Sequence, residues 1–375
     1  MTRAVARELA GVRVTSPAPR AVWATAFAAD PHAVPSQSPQ WADCLAATRG
    51  RVDASRLYEL PDGRALVLPL AGRQVAGVRV AEDSWPYGWV YGGALSTEGP
   101  VTEADAAIVL ADLVRRPVVR TGVVPMPMTG PSWTSAADGL GVPVQRVPYL
   151  SQSLALDGGF DHVWAKRYRK QARRWIKKAG ASGLDVAEYA GSHALPAVAV
   201  FADLYRQSID RWAADMGRPL PIARAHARLQ DRPGHLARVV RGLGDMVRVW
   251  TAHRAGEPVS VLVVLEHGPH SFGWLAAMDV RLGAETNAGH LLQSLAIESA
   301  CAAGRDWFHM GESAPGSGVE RFKTSFGAVP MPYEALFTER LPLTAADRAL
   351  RRAVTAVTTR RRRSTDDESE AQEAK

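Results

Sequence analysis

Between Met246 and Met278 three strand-like runs follow one another with only turn-length gaps: Met246 to His253, Val259 to Glu266 and Phe272 to Met278. Gly256-Glu-Pro258 and Gly268-Pro269 supply the turns. Asn287 to Ala303 then reads as a long helix closed by Gly304. A short buried strand (Asp306 to Met310), a loop (Gly311 to Gly318), a short helix (Val319 to Phe326) and a last strand (Tyr333 to Thr338) complete the series. A sheet flanked by helices is the expected architecture.

The first part of the chain also reads as a mixed sheet with a covering helix. Ser55 to Leu60 and Arg64 to Leu70 flank a Pro61-Asp-Gly63 turn, and Gln74 to Val80 is a third alternating run. Ser84 to Ala94 is dense in aromatics and glycine. Glu103 to Arg115 reads as an amphipathic helix and Val118 to Pro125 as a strand. Residues 1–35, rich in Ala, Pro and Arg without a clear period, are expected to be mobile. Phe160 to Gly180 reads as one basic amphipathic helix, followed by a strand over Asp185 to Tyr189. Leu195 to Met216 and Arg224 to Leu243 are further helices, the second open to an interruption at Pro233-Gly234. Thr344 to Arg363 reads as a basic helix and Ser364 to Lys375 as a disordered acidic tail.

Composition narrows the function classes. The chain has 375 residues, 46% of them hydrophobic and 22% charged, which fits two domains, or one long domain with a tail, rather than a disordered chain. No run approaches the ~20 apolar residues of a membrane helix. Met1 to Arg20 lacks the pattern of a signal peptide, so a cytoplasmic protein is expected. Two cysteines, Cys44 and Cys301, are too few for a disulfide framework or a zinc site. The histidines show no metal-ligand spacing, and no metal is expected. The net charge of +7 suits a phosphate-bearing partner but is modest for a dedicated nucleic-acid binder.

Several segments carry a family resemblance. Asn287 to Gly304 has a Leu291-Leu292 pair and a closing Ala-x-x-x-Gly; Phe308-His-Met-Gly-Glu312 is a strand end; Gly318-Val-Glu-Arg-Phe-Lys-Thr-Ser-Phe-Gly327 fits Gly-x-x-x-Phe-Lys-x-x-Phe-Gly. Trp164 to Gly180 and Tyr91-Gly-Gly93 add a basic helix and a glycine-rich aromatic turn. Together they resemble the FemA/FemB/FemX (FemABX) aminoacyltransferases of the GNAT superfamily, over about residues 36–340. His309 stands where that pattern commonly has Asp, and Ala94 follows the Gly-Gly turn where it commonly has Pro. The resemblance implies an α/β (α+β) fold of two tandem GNAT-like lobes, each a mixed, mainly antiparallel sheet flanked by helices. The expected divisions are a mobile terminus (1–35), a first lobe (36–152), a second lobe (153–340) containing the basic helix 160–180, and a basic helix with an acidic tail (341–375).

Acyl transfer to an amine needs an acyl donor site, an amine within attack distance and stabilisation of the oxyanion. No nucleophile elbow of the Gly-x-Ser-x-Gly type is present, which favours direct attack over a covalent enzyme intermediate. The resemblance implies that Phe322 and Lys323 line the transfer site, with the lysine stabilising the oxyanion or neutralising donor phosphate; a surface lysine whose stem packs on Phe322 is the competing reading. Glu312 and Ser313 are placed to accept a hydrogen bond or a proton from the amine, or else to cap a helix. Trp85, Tyr91, Gly92 and Gly93 are the candidate acceptor pocket, against a reading as packed strand aromatics. Arg169, Arg173, Arg174, Lys177 and Lys178 are the candidate phosphate or tRNA contacts, against a plain solvated face.

No cofactor is expected to be tightly bound; the co-substrate is aminoacyl-tRNA or acyl-CoA. The Arg/Gln-x-x-Gly-x-Gly/Ala turn of CoA-using relatives is missing from Asp279 to Gly289, where Glu285 would repel phosphate. That favours aminoacyl-tRNA. The acceptor is expected to be an amine of a muropeptide in peptidoglycan and cell-wall biosynthesis, or of a small specialised metabolite. A lipid-linked acceptor would bring peripheral membrane contact without a transmembrane segment. The alternatives are a CoA-dependent N-acyltransferase and a non-enzymatic RNA- or phosphate-binding protein on the same scaffold.

Overall fold

The structure is a computed structural model, and it describes residues 3–49, 51–84, 91–141, 143–215, 219–230, 232–346 and 349. The first part of the chain runs through α1 (Arg3–Glu8), β1 (Arg13–Thr15), α2 (Arg20–Ala29), α3 (Pro39–Arg49), β2 (Val52–Asp53), β3 (Arg56–Glu59) and β4 (Ala65–Leu68). It continues with β5 (Ala71–Val75), β6 (Val78–Asp83), β7 (Leu95–Ser96), α4 (Glu103–Leu113), β8 (Arg120–Val123), α5 (Gly130–Gly139) and β9 (Gln145–Ala155). There follow α6 (Gly159–His162), α7 (Lys170–Gly180), β10 (Asp185–Ala190), α8 (Leu195–Asp215), α9 (Leu220–Gln230), α10 (Arg232–Leu243) and β11 (Val247–Arg254). The last elements are β12 (Glu257–His267), β13 (His270–Met278), α11 (Val280–Thr286), α12 (Ala288–Ala302), β14 (Trp307–Glu312), α13 (Gly318–Ser325) and β15 (Val329–Glu339).

The strands form a four-stranded sheet, β1-β3-β4-β7, and an eleven-stranded sheet, β10-β11-β12-β13-β14-β9-β15-β8-β6-β5-β2. Among the described residues each lobe has one parallel ladder, β6 with β8 in the first and β13 with β14 in the second, and the other ladders are antiparallel. The two lobes interleave their closing strands. β9 ends the first half of the chain but pairs with β14, and β15 ends the second half but pairs with β8 and β9. The expected boundary at residue 152 therefore falls inside β9, which belongs to the ladders of both lobes.

Burial explains why the β11–β13 meander reads so clearly. Val261, Val263 and Leu265 on β12 pack into the cluster shared with α8, α10 and Trp41 of α3. Leu262 and Val264 point the other way, into the cluster under α7 and α12. Both faces of β12 are covered, so its residues are apolar almost without a break.

Three expectations are corrected here. Residues 13–35 are built into the fold: Trp23 and Ala26 are fully buried against β3, β4 and β7, and the Trp23 indole donates to the Gln37 carbonyl. An Ala- and Pro-rich composition masked a packed helix. The run Gln74 to Val80 is a hairpin, because Ala76 and Gly77 both have positive φ and turn β5 into β6. Finally, 160–180 is not one helix. After α6 a single π-turn covers Val163–Arg167, Tyr168 is extended (ψ 131°), and α7 begins afresh at Lys170. The break is enforced from outside: the Arg169 N–H donates to the Ser325 carbonyl, and the Tyr168 ring stands edge-on to Phe326. The expected helix 344–363 and the acidic tail lie almost wholly outside the described residues.

Candidate active site

β13 and β14 pair over only three positions, His270–Phe272 with Trp307–His309, and part beyond them. A cavity of about 1700 Å³ fills the opening and runs along the sheet face into the first lobe. The end of β14 lines it. A bulge after His309 sets Met310 out of the ladder with β9, and Gly311 takes φ +70°, a conformation that costs glycine least. Glu312 is thereby turned into the cavity.

Lys323 meets it from α13, which Ser317 caps by accepting from the Glu320 N–H at 3.1 Å. The lysine is 6% exposed, and its ammonium donates to the carbonyls of Gly311 at 2.8 Å and Glu312 at 2.6 Å. Burial pushes its pKa down to about 8, against the partial support of the Glu312 charge. Two of its three N–H groups are thus committed to the strand end, and the third is left for the cavity it lines. Phe322 packs beside it against His290 and Phe326.

Tyr333 of β15 donates its hydroxyl to the Glu312 carboxylate. Its pKa is raised by burial and by that charge, so it stays a donor. The Tyr333 ring stands edge-on to Tyr91 and stacks on Tyr149. Tyr91 in turn shares a hydrogen bond with Ser151, and burial raises its pKa too. Ser313 donates to Gln152, whose amide donates to Thr324.

Lys323, Phe322, Glu312 and Tyr91 therefore line one cavity, with Ser313 beside Glu312 but turned to Gln152. Gly92 and Gly93 do not line the cavity. Gly92 lies against Ser84 and pairs with Val124, both glycine carbonyls accept from the Gln37 amide, and a Cβ on Gly93 would press on Pro125. They let the backbone pass closely between elements. Trp85 lies outside the described residues.

The basic cluster splits by role. Arg173 donates to the carbonyls of Trp164 and Ala165 and closes the π-turn. Arg169, Arg174, Lys177 and Lys178 are exposed. Arg174 and Lys178 lie at helical spacing from Gln171 and Trp175, which line the cavity, so the exposed charge borders its rim.

Tyr333, Gln152, His290 and Gln293 were not singled out from the sequence. His290 and Gln293, one turn apart on α12, line the cavity with a buried ring nitrogen and a buried amide that have no partner among the described residues. Burial lowers the His290 pKa to about 4, which keeps the ring neutral. No spacing rule marks such residues; only the fold places them. The connection before α12 also differs from expectation. It is a short helix, α11, and Glu285 is paired with Arg281 at 3.2 Å and Arg254 at 3.3 Å, which removes most of the repulsion expected of it.

Residues 166–324 match the acetyltransferase (GNAT) domain family. No curated protein matches the chain. Among solved structures, FemX superposes with a TM-score of 0.54 at 12% identity, covering 87% of this chain and 97% of FemX. A conserved protein of unknown function from Bacteroides thetaiotaomicron gives 0.50 at 11% identity, covering 87% and 98%. Residues 166–324 thus form an acyltransferase domain of the GNAT type, within a chain whose two-lobed fold is similar to that of FemX.

Proposed function

We propose that the protein transfers an aminoacyl group from aminoacyl-tRNA to an amine of a peptidoglycan precursor or a specialised metabolite. The carrying observation is the Lys323–Glu312–Tyr333 arrangement at the end of β14, open to the cavity. Glu312 accepts the proton of the amine, and the Tyr333 hydroxyl orients the carboxylate. The amine nitrogen attacks the ester carbonyl directly. The free N–H of Lys323 stabilises the oxyanion, the bond to the ribose oxygen breaks, and that oxygen takes the proton held by Glu312 and leaves as a hydroxyl. Arg169, Arg174, Lys177 and Lys178 supply a phosphate-binding rim for the tRNA end. The acceptor is used in the cytoplasm, and a lipid-linked one would add peripheral membrane contact.

A CoA donor is the second reading, supported by the family description of residues 166–324 and by the cavity's reach to Gly289 and His290 at the start of α12. Parallel titrations with a mixed aminoacyl-tRNA pool and with acetyl-CoA separate the two. Saturable tRNA binding without acetyl-CoA binding supports the first; tight acetyl-CoA binding without tRNA binding overturns it.

A further inference from the structure

Away from Glu312 the cavity floor continues onto the first lobe, and its chemistry changes. Arg73, Ala81 and Arg120 are register partners across β5, β6 and β8, and partners directly opposite share one face of the sheet. In the next row Asp83 pairs with Gly122, and Gly122 with Phe337 of β15. A Cβ on Gly122 would stand 2.7 Å from the Phe337 ring, so glycine is what lets that ring settle on β8. The Arg120 guanidinium lies 3.8 Å from the ring centroid, fixed in place by a cation–π contact. Its Nε is 3.2 Å from Glu339 yet buried without a hydrogen bond among the described residues. Arg51, with 8% of its side chain exposed, pairs with Asp83 at 3.3 Å. Arg73 is exposed and has no ion pair among the described residues. Burial raises the Asp83 pKa, while the charges of Arg51, Arg120 and Arg73 oppose that rise. Arg51, Arg73 and Arg120 thus line the cavity with one carboxylate, Asp83, while Glu339 reaches Arg120 from β15.

We infer that this face is an anion subsite for the acceptor: it takes a carboxylate or phosphate that the acceptor carries far from its reacting amine. The placement of the amine rests on the function proposed above; the subsite itself rests on the arginines. Tyr333, which reaches Glu312, and Phe337, which carries Arg120, are four residues apart on β15, about 13 Å of extended chain. A free amino acid is too short to touch both ends. The acceptor is an extended molecule, equivalent to roughly four or more peptide residues at that rise.

The test uses the full chain and isothermal titration with hexaglycine, hexaglycine amide and inorganic pyrophosphate. Wild type is compared with Arg73→Gln, an exposed change, and with Glu312→Gln. Binding of hexaglycine about ten-fold tighter than its amide, with the advantage lost in Arg73→Gln, identifies a carboxylate subsite. Arg73-dependent binding of pyrophosphate alone identifies a phosphate subsite. Either result supports the inference, and its persistence in Glu312→Gln shows that the subsite stands apart from the transfer chemistry. If neither anion binds at millimolar concentration, or if binding is indifferent to Arg73→Gln, the inference is overturned even where acyl transfer is intact.

Discussion

The carbonyl group of Arg167 sits where a Cβ on Gly327 would be, with the carbonyl carbon 2.8 Å from that position. Gly327 also has φ +83°. The last glycine of the Phe-Lys-x-x-Phe-Gly segment is therefore where the break before α7 docks on α13. Gly327→Ala combines left-handed backbone strain of roughly 1–2 kcal/mol with a backbone clash, and a loss of about 3 kcal/mol or more is expected. The urea midpoint measures it; an unchanged midpoint would show that the two segments do not press on each other.

The same glycine illustrates what was legible in advance. The segment 318–327 was recognisable because several of its residues are fixed by their neighbours: Lys323 by two carbonyls, Phe326 by Tyr168, Gly327 by Arg167. The β11–β13 meander was legible because burial on both faces leaves a strong apolar signal. β9 was missed for the opposite reason. Its centre is Ser151-Gln-Ser153, buried but polar, and its partners Tyr91, Thr324 and His309 come from distant parts of the chain. Tyr333 went unmarked because its role depends on the interleaving of β15 with β9, which no local pattern encodes.

A buried network in the first lobe gives a second stability prediction. Asp112 accepts from Arg56 at 2.5 and 2.9 Å and from Tyr58 at 2.9 Å. Asp112→Ala leaves a nearly buried guanidinium unpaired, and a loss of about 3–5 kcal/mol is expected. Thermal or urea unfolding measures it; a loss under about 1 kcal/mol would indicate that water reaches Arg56.

Lys323 predicts a pH dependence. Its folded pKa is about 8 against an ordinary 10.5, so between those values the unfolded chain binds more protons. Stability contributed by this group therefore rises with pH across that window, by up to about 3 kcal/mol, and the full penalty is present below pH 8. Lys323→Met should remove this slope. Urea midpoints of both proteins across the window test it; parallel curves would mean that the ammonium is solvated.

On α7 and at its N-terminus, changing Arg169, Arg174, Lys177 and Lys178 together to Ala should weaken tRNA binding and flatten its salt dependence, by a log–log slope of about 0.7–0.9 for each phosphate no longer neutralised. Folding should be unaffected, since all four are exposed. A salt slope equal to that of wild type would return this face to solvent.

The central claim is that Glu312 and Lys323 carry out amide formation. The most direct measurement is single-turnover transfer from a labelled aminoacyl-tRNA pool to a pool of muropeptide and small-molecule amines, with wild type, Glu312→Gln and Lys323→Met at equal folded concentration. Transfer by wild type is expected, with each variant slower by about 100-fold or more, as for removal of a general base or an oxyanion donor. Wild-type rates in both variants would contradict the placement of the chemistry at the end of β14.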